Sequence, residues 1–366
     1  MVIGWRMLAV GLLLSGVARA ADYPAPVQGD YIAHDFRFDD GATMKELRLH
    51  YATVGASTGE PVLVLHGTGG TGTGMLNPAF AGALFGPGQA LDASKYYIIL
   101  PDAIGAGQSS KPSDGMRASF PHYDYDDMIR AQYEMLTKGL GVTHLRLVIG
   151  NSMGGMETWA WGEMYPDFMD ALVPMASQPT AMSSRNWMMR RMIIDAVRDD
   201  PAYKDGNYTD QPPSLRMANV WFGIATSGGS SAYAKEAPTR LTADAALAKR
   251  KALPFTADAN DFVYQWDASR DFDAAPQLEK IKAAVLVINS ADDERNPPQT
   301  GLLDAALKRV SNAKYYLIPE SAETTGHGTT SVGEFYQAQL AQFLASVPKE
   351  ASYAGSPSGQ SPSKPK

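Results

Sequence analysis

The sequence predicts an α/β fold: a mostly parallel central sheet flanked by helices, with an inserted helical lid. Three observations predict it. Short apolar runs of strand length recur along the chain, helix-like spans lie between several of them, and one interval of about a hundred residues is far too long for an ordinary connection. With 366 residues, 45% hydrophobic and 19% charged, the chain can bury the core of one large domain.

The elements follow in order. Residues 1–20 place Arg6 ahead of an apolar run from Met7 to Val17 and end in "ARA", the layout of a secretory signal peptide cleaved after Ala20. That run is short for a membrane span, so the expectation is a periplasmic or secreted product with no stable membrane anchor. Residues 22–28 read as a loop. From Tyr31, two alternating runs flank Asp39-Asp40-Gly41 and predict an antiparallel hairpin. Buried parallel strands are predicted at "VLVLH" (62), "YYIILPD" (96), "LRLVIG" (145), "ALVPMAS" (171), "AAVLVIN" (283) and "KYYLIP" (314).

A helix is expected from Tyr125, stopped by Gly139 and Gly141. Another is expected over 331–347, with Tyr336, Leu340, Phe343, Leu344 and Val347 on one face. Residues 22–177 and 277–348 thus form two parts of one core around an inserted lid, residues 178–276. The lid is rich in Met182, Trp187, Met188, Met189, Met192, Met217, Trp221 and Trp266. Such adaptable apolar side chains suit a cover over a pocket, or the packing of the lid on the body, and both can hold. Residues 349–366, rich in Ser, Pro, Gly and Lys and poor in apolar side chains, read as a disordered tail.

Composition removes several classes of function. A formal charge of -7, with no basic run before the C-terminus, argues against a nucleic-acid partner. The absence of cysteine excludes thiol catalysis and thiolate metal sites. Gly67-x-Gly69-x-x-Gly72, with Asp92 about twenty residues on, formally matches a dinucleotide fingerprint. No clean helix begins at Gly72, however, because Pro78 lies close behind it, and no cofactor or metal is expected. The sequon-like Asn207-Tyr208-Thr209 matters only in a host that glycosylates.

Gly150-Asn151-Ser152-Met153-Gly154 sits directly between a predicted strand and a predicted helix, the setting in which a sharp turn lifts a serine hydroxyl clear of a sheet. A serine needs a base, and the base needs an orienting carboxylate. One histidine follows Ser152 in the chain: His327, on a glycine-flanked loop after the last strand. The carboxylate should end the strand "VLVIN", where Asp292, Asp293 and Glu294 are available. Such an acid usually stands four residues before a proline, which favours Asp293 with Pro297 over Asp292. The oxyanion donors expected are the backbone N–H of Met153 and that of Thr68, in the loop after an earlier strand. His66 then shapes that loop.

With these residues placed, the chain from about Tyr31 to Val347 resembles the α/β-hydrolase superfamily, and within it the homoserine O-acetyltransferase-like branch. The resemblance is carried by "GNSMGGMETWAWGEMYPDFMDALVPMAS" from Gly150, "IIDAVRDDPAYKDGNY" from Ile193, "DANDFVYQWDASRDFD" from Asp258, "SADDERNPP" from Ser290 and "GHG" at 326. It implies an α/β-hydrolase fold and a Ser152–His327–Asp293 triad. The transferases carry an Asp after the catalytic His, where it helps hold the substrate amine; here that position is Gly328. "HGTGG" and "PDAIGAGQSSKP" also resemble ester hydrolases more than transferases. The expectation is therefore an exported serine hydrolase acting on a small-molecule carboxylic ester. An O-acyltransferase of the homoserine O-acetyltransferase type is the first alternative, and a non-catalytic binding protein on the same fold the second. Whether the chain works alone or as a homodimer stays open.

Overall fold

The computed structural model describes residues 22–349. The predicted leader, residues 1–20, and all but the first residue of the predicted tail lie outside them. Eight strands form one sheet in the order β1-β2-β4-β3-β5-β6-β7-β8. Strand β1 (Val27–Arg37) pairs antiparallel with β2 (Thr43–Val54), and β2 pairs antiparallel with β4 (Tyr96–Pro101). From β4 onward every pairing is parallel: β3 (Glu60–Leu65), β5 (Leu147–Asn151), β6 (Ala171–Met175), β7 (Ala284–Ser290) and β8 (Ala313–Ile318).

The central strands read as apolar runs because both faces are buried. Val62, Val64, Ile98, Leu100, Leu147, Ile149 and Val173 point into one core layer, while Leu63, Leu65, Ile99, Val148 and Leu172 point into the other. The first layer is closed by α1 (Ala81–Leu84) and α10 (Gln337–Ser346). The second is closed by α2 (Tyr125–Glu134), α3 (Met153–Met164) and α9 (Leu302–Leu307), with Trp159 and Trp161 of α3 wholly buried. Each such aliphatic side chain contributes about 1.5–3 kcal/mol by leaving water.

Several boundaries differ from the sequence reading. Strand β1 starts at Val27 inside the expected loop, because its first residues pair by backbone alone and show no buried alternation. Helix α2 ends at Glu134 and continues as one π-helical turn, Met135–Gly139, before Gly141 turns the chain at φ 68°. The last helix begins at Gln337, not near 331, since a short 3₁₀ turn, Gly333–Phe335, precedes a break at Tyr336. Strand β8 is an edge strand, so Lys314 and Leu317 are exposed where a buried strand was expected.

Between β6 and β7 stand α4 (Ser184–Arg198), α5 (Pro213–Thr226), α6 (Ser230–Glu236), α7 (Arg240–Ala252) and α8 (Ala259–Asp267). Helices α4, α5 and α8 share a small core of their own, including Ile193, Ile194, Leu215, Phe222, Phe262 and Trp266. Met188, Met192, Met217 and Trp221 face outward. For those four the expectation of a pocket-facing cover is corrected: α4 and α5 turn them away from the body.

Arg146, just before β5, is buried and binds the segment that closes the last helix. Its guanidinium donates to the carbonyls of Leu344, Val347 and Pro348 at 2.6, 3.0 and 2.8 Å and pairs with Asp170 at 3.0 Å. One side chain thus binds the carbonyls of Leu344, in the last turn of α10, and of Val347 and Pro348 just beyond it.

Candidate active site

Strand order reverses between β3 and β5, which opens a crevice at their carboxyl ends, the position where open α/β sheets bind ligands. Ser152 sits there, between β5 and α3, at φ 58° and ψ −110°. A non-glycine residue in that region costs on the order of 1–3 kcal/mol, so its surroundings must impose it. They do so by close backbone approach. A Cβ on Gly150 would lie 2.1 Å from the Gly154 carbonyl oxygen, and one on Gly154 would lie 2.4 Å from that of Leu65. The turn is pinned by the Ser152 N–H to the Met175 carbonyl at 2.9 Å and the Gly154 N–H to that of His66 at 3.0 Å.

His327 lies in a 3₁₀ turn after β8, and Asp293 in the loop after β7. The structure brings both to the serine. His327 Nε2 is 2.8 Å from Ser152 Oγ, and its Nδ1 is 3.0 and 3.1 Å from the two Asp293 oxygens. All three residues are buried. The carboxylate fixes the proton on Nδ1, which leaves Nε2 to accept the serine hydroxyl proton. Asp292 turns the other way: it accepts from the Ser290 and Thr324 hydroxyls and from the Gly326 N–H, and so braces the histidine loop.

Electrostatics favour a neutral imidazole. Burial pushes the His327 pKa down, Asp293 pulls it back, and Arg295 and Arg190 push it down again, leaving it below the ordinary 6.5. Burial would raise the Asp293 carboxyl, but His327 and the N–H groups of Arg295 and Asn296 outweigh it and hold it below 3.8.

Met153 is the first residue of α3, so its N–H has no acceptor within the helix. The loop after β3 approaches closely enough that a Cβ on Gly67 would touch the Ser152 Cβ at 3.4 Å. Thr68 follows, its hydroxyl buried without a partner. His66 is bound through both ring nitrogens, to the Gly67 carbonyl at 2.8 Å and the Ala103 N–H at 3.0 Å, and its pKa is lowered first by burial.

Several residues that hold the site escaped sequence reasoning. Asp102 ties the two glycine loops together, accepting from the Gly72 N–H at 2.7 Å and the Gln108 N–H at 2.8 Å. Its signal was present in "PDAIGAG" but had no visible partner. Asn296 donates to Asp293 at 3.3 Å and to the Ala176 carbonyl at 2.8 Å. The Gly72 of the formal dinucleotide fingerprint packs against β4, where a Cβ would meet the Leu100 carbonyl at 2.2 Å, and Asp92 accepts from Gly88 and Ser94. A cavity of about 570 Å³ opens beside Thr68 and Gly69, under α8. Lys111, Ser113, Asn219, Asp261 and Gln265 line much of it, so the wall is more polar than a Met and Trp lid implied.

The sequence matches the alpha/beta hydrolase fold family over residues 60–325. The chain belongs to that family. This α/β-hydrolase is 30% identical over 215 residues to a homoserine O-acetyltransferase of Thermobifida fusca (strain YX), covering 54% of this chain and 56% of that one. It is 31% identical over 272 residues to a homoserine O-acetyltransferase of Solidesulfovibrio magneticus, covering 67% of each. It is 35% identical over 193 residues to an ethyl acetate hydrolase of Pseudomonas veronii, covering 50% of this chain and 54% of that one. The matched part thus spans about half the length of several of these relatives. In fold it is similar to the acetyl esterase MekB (TM-score 0.75, 23% identity, 87% and 97% of the two chains). It is equally similar to a homoserine O-acetyltransferase from Bacillus anthracis (TM-score 0.75, 22% identity, 90% and 100%). These likenesses put it in the homoserine O-acetyltransferase-like branch of the α/β-hydrolases.

Among the described residues no helix is long and apolar enough to cross a membrane. The carboxylates of Asp39, Asp124 and Asp127 gather within 4.8 Å of one another, but Arg130 already pairs with Asp39 and Asp127 there.

Proposed function

We propose that this α/β-hydrolase cleaves a carboxylic ester through a covalent acyl-enzyme on Ser152. The observation that carries the reading is the line from Ser152 Oγ through His327 to Asp293, at 2.8 and 3.0 Å, on a turn that no ordinary serine adopts. Ser152 Oγ attacks the ester carbonyl while His327 Nε2 takes its proton. The carbonyl oxygen becomes an oxyanion, for which the Met153 and Thr68 N–H groups are the proposed donors. The C–O bond to the alcohol then breaks as His327 returns its proton to the leaving oxygen. Water, deprotonated by the same nitrogen, attacks the acyl-serine and releases the acid. The scheme uses no cofactor.

Transfer to an alcohol in place of water is the second reading, supported by the named acetyltransferase relatives. Against it stands Gly328, which offers no side chain to an amino-alcohol acceptor beside His327. Hydrolysis of p-nitrophenyl acetate by the wild type and by Ser152→Ala, with and without homoserine, separates the readings. Ser152-dependent release indifferent to homoserine is expected; O-acetylhomoserine formation in its place would establish the transferase. The leader-like residues 1–20 support export to the periplasm or medium, which N-terminal sequencing of the fractionated protein tests: a start at Ala21 is expected.

A further inference from the structure

Residues 226–229, at the end of α5, run as a strap between the acid loop and the histidine loop. The His327 N–H donates to the Ser227 carbonyl at 2.5 Å, and Gly228 pairs antiparallel with Asp293. Only glycines permit so close an insertion. A Cβ on Gly228 would lie 1.8 Å from the Asp292 carbonyl oxygen, and one on Gly326 would lie 1.9 Å from that of Ser227. Both residues also have positive φ, 82° and 61°.

Arg295 fastens this strap. Its Nε donates to Thr226 Oγ1 at 3.0 Å and its Nη2 to Ser227 Oγ at 3.4 Å. Its guanidinium stacks 4.5 Å over the Phe222 ring. Its backbone N–H donates to Asp293 at 2.8 Å. One residue therefore grips the lid with its side chain and the triad acid with its main chain.

We propose that Arg295 is a positioning residue of the triad, locking the strap 226–229 between the two loops and thereby holding His327 in register with Ser152 and Asp293. The proposal rests on the hydrolytic reading above. A purely structural clamp could be any shape-matched group, but a cation here also acts on His327 through its charge. The other charged groups around His327 are accounted for. Asp293 stabilises the imidazolium, Arg190 of α4 opposes it, Asp292 is held by Ser290, Thr324 and Gly326, and Glu294 pairs with Arg185 at 2.5 Å. His66, just after β3, is bound through both ring nitrogens and has its pKa lowered chiefly by burial. The strap itself carries no titratable side chain.

The test compares full-length wild type, Arg295→Met and Arg295→Lys in ester hydrolysis across about pH 4 to 9, with thermal melts as a folding control. In Arg295→Met, kcat should fall roughly 10- to 100-fold with KM little changed. The acidic limb of kcat/KM should move up by on the order of half a pH unit, because removing the cation makes His327 easier to protonate. Arg295→Lys should keep the wild-type limb and recover part of kcat. Titration of His327 by NMR in the Ser152→Ala background gives the same comparison without turnover. If wild type shows no Ser152-dependent hydrolysis, the hydrolytic reading falls, while the NMR titration still decides the role of Arg295. An unchanged His327 titration in Arg295→Met, or losses in both variants that merely follow a lowered melting temperature, would overturn the proposal.

Discussion

The sheet body and the lid bury apolar surface in different ways. The body has two continuous core layers, with alternate residues of each central strand pointing into one or the other. The lid has one small cluster and leaves Met188 and Met192 of α4 at 67% and 55% exposure. Yet the lid reaches His327 directly, through the Ser227 carbonyl, while the body supplies the turn of Ser152 and the loop of Thr68. The difference teaches that most of the buried apolar surface lies in the body, while the lid meets the histidine and acid loops at Ser227 and Gly228.

The largest effect expected is on the body's side of that division. Ser152→Ala should lower ester hydrolysis by on the order of 10⁴- to 10⁶-fold in a single-turnover assay while the far-UV spectrum stays unchanged. On the loops the lid touches, Asp293→Asn should cost on the order of 10⁴-fold in kcat, because the imidazole loses its tautomer, and Asp292→Asn far less. Equal losses in the two would dissolve the distinction drawn between triad acid and loop brace.

Stability provides the next contrast. Trp159→Ala, in the body, should cost about 3–5 kcal/mol by urea denaturation. Exchanging Met188 and Met192 for Gln should stay within about 0.5 kcal/mol. A large loss from the methionine pair would mean that this face is covered in solution.

A further contrast is set by pH. Glu157 of α3 is buried, accepts from Gln132 at 2.6 Å, and is pushed up by burial from 4.5 to about 8. The folded protein therefore holds a proton that the unfolded chain releases above 4.5, so stability falls as pH rises from 4.5 to about 8. Glu157→Gln should raise stability at pH 8 by about 1–3 kcal/mol and change it little near pH 4.5. For activity, the low His327 pKa places the acidic limb of kcat/KM below 6.5, to be read from a pH profile.

Much of this was legible because local pattern and chemistry coincide. The strands show as apolar runs, the nucleophile turn has glycines on both sides, and His327 has no rival histidine after Ser152. Asp293 could be ranked above Asp292 by its spacing to Pro297, and the geometry then separates them by partner. What was illegible depends on pairings distant in sequence. Asp102 looks like any loop carboxylate until Gly72 and Gln108 reach it. The polar wall under α8 depends on how the insertion folds back, and the outward methionines on which face of α4 meets its neighbours. Gly228-Gly229 is inconspicuous inside the insertion, and its place becomes clear only beside Gly326 and Asp293.

Arg146 gives a central strand a distant anchor. It stands at the root of the strand that ends in Ser152, and the carbonyls that satisfy it lie 198 to 202 residues further on. Without those residues the buried guanidinium keeps only the carboxylates of Asp170 and Glu60 as ion-pair partners. The strand that leads into Ser152 is therefore tied down at its root by residues as far along the chain as Pro348.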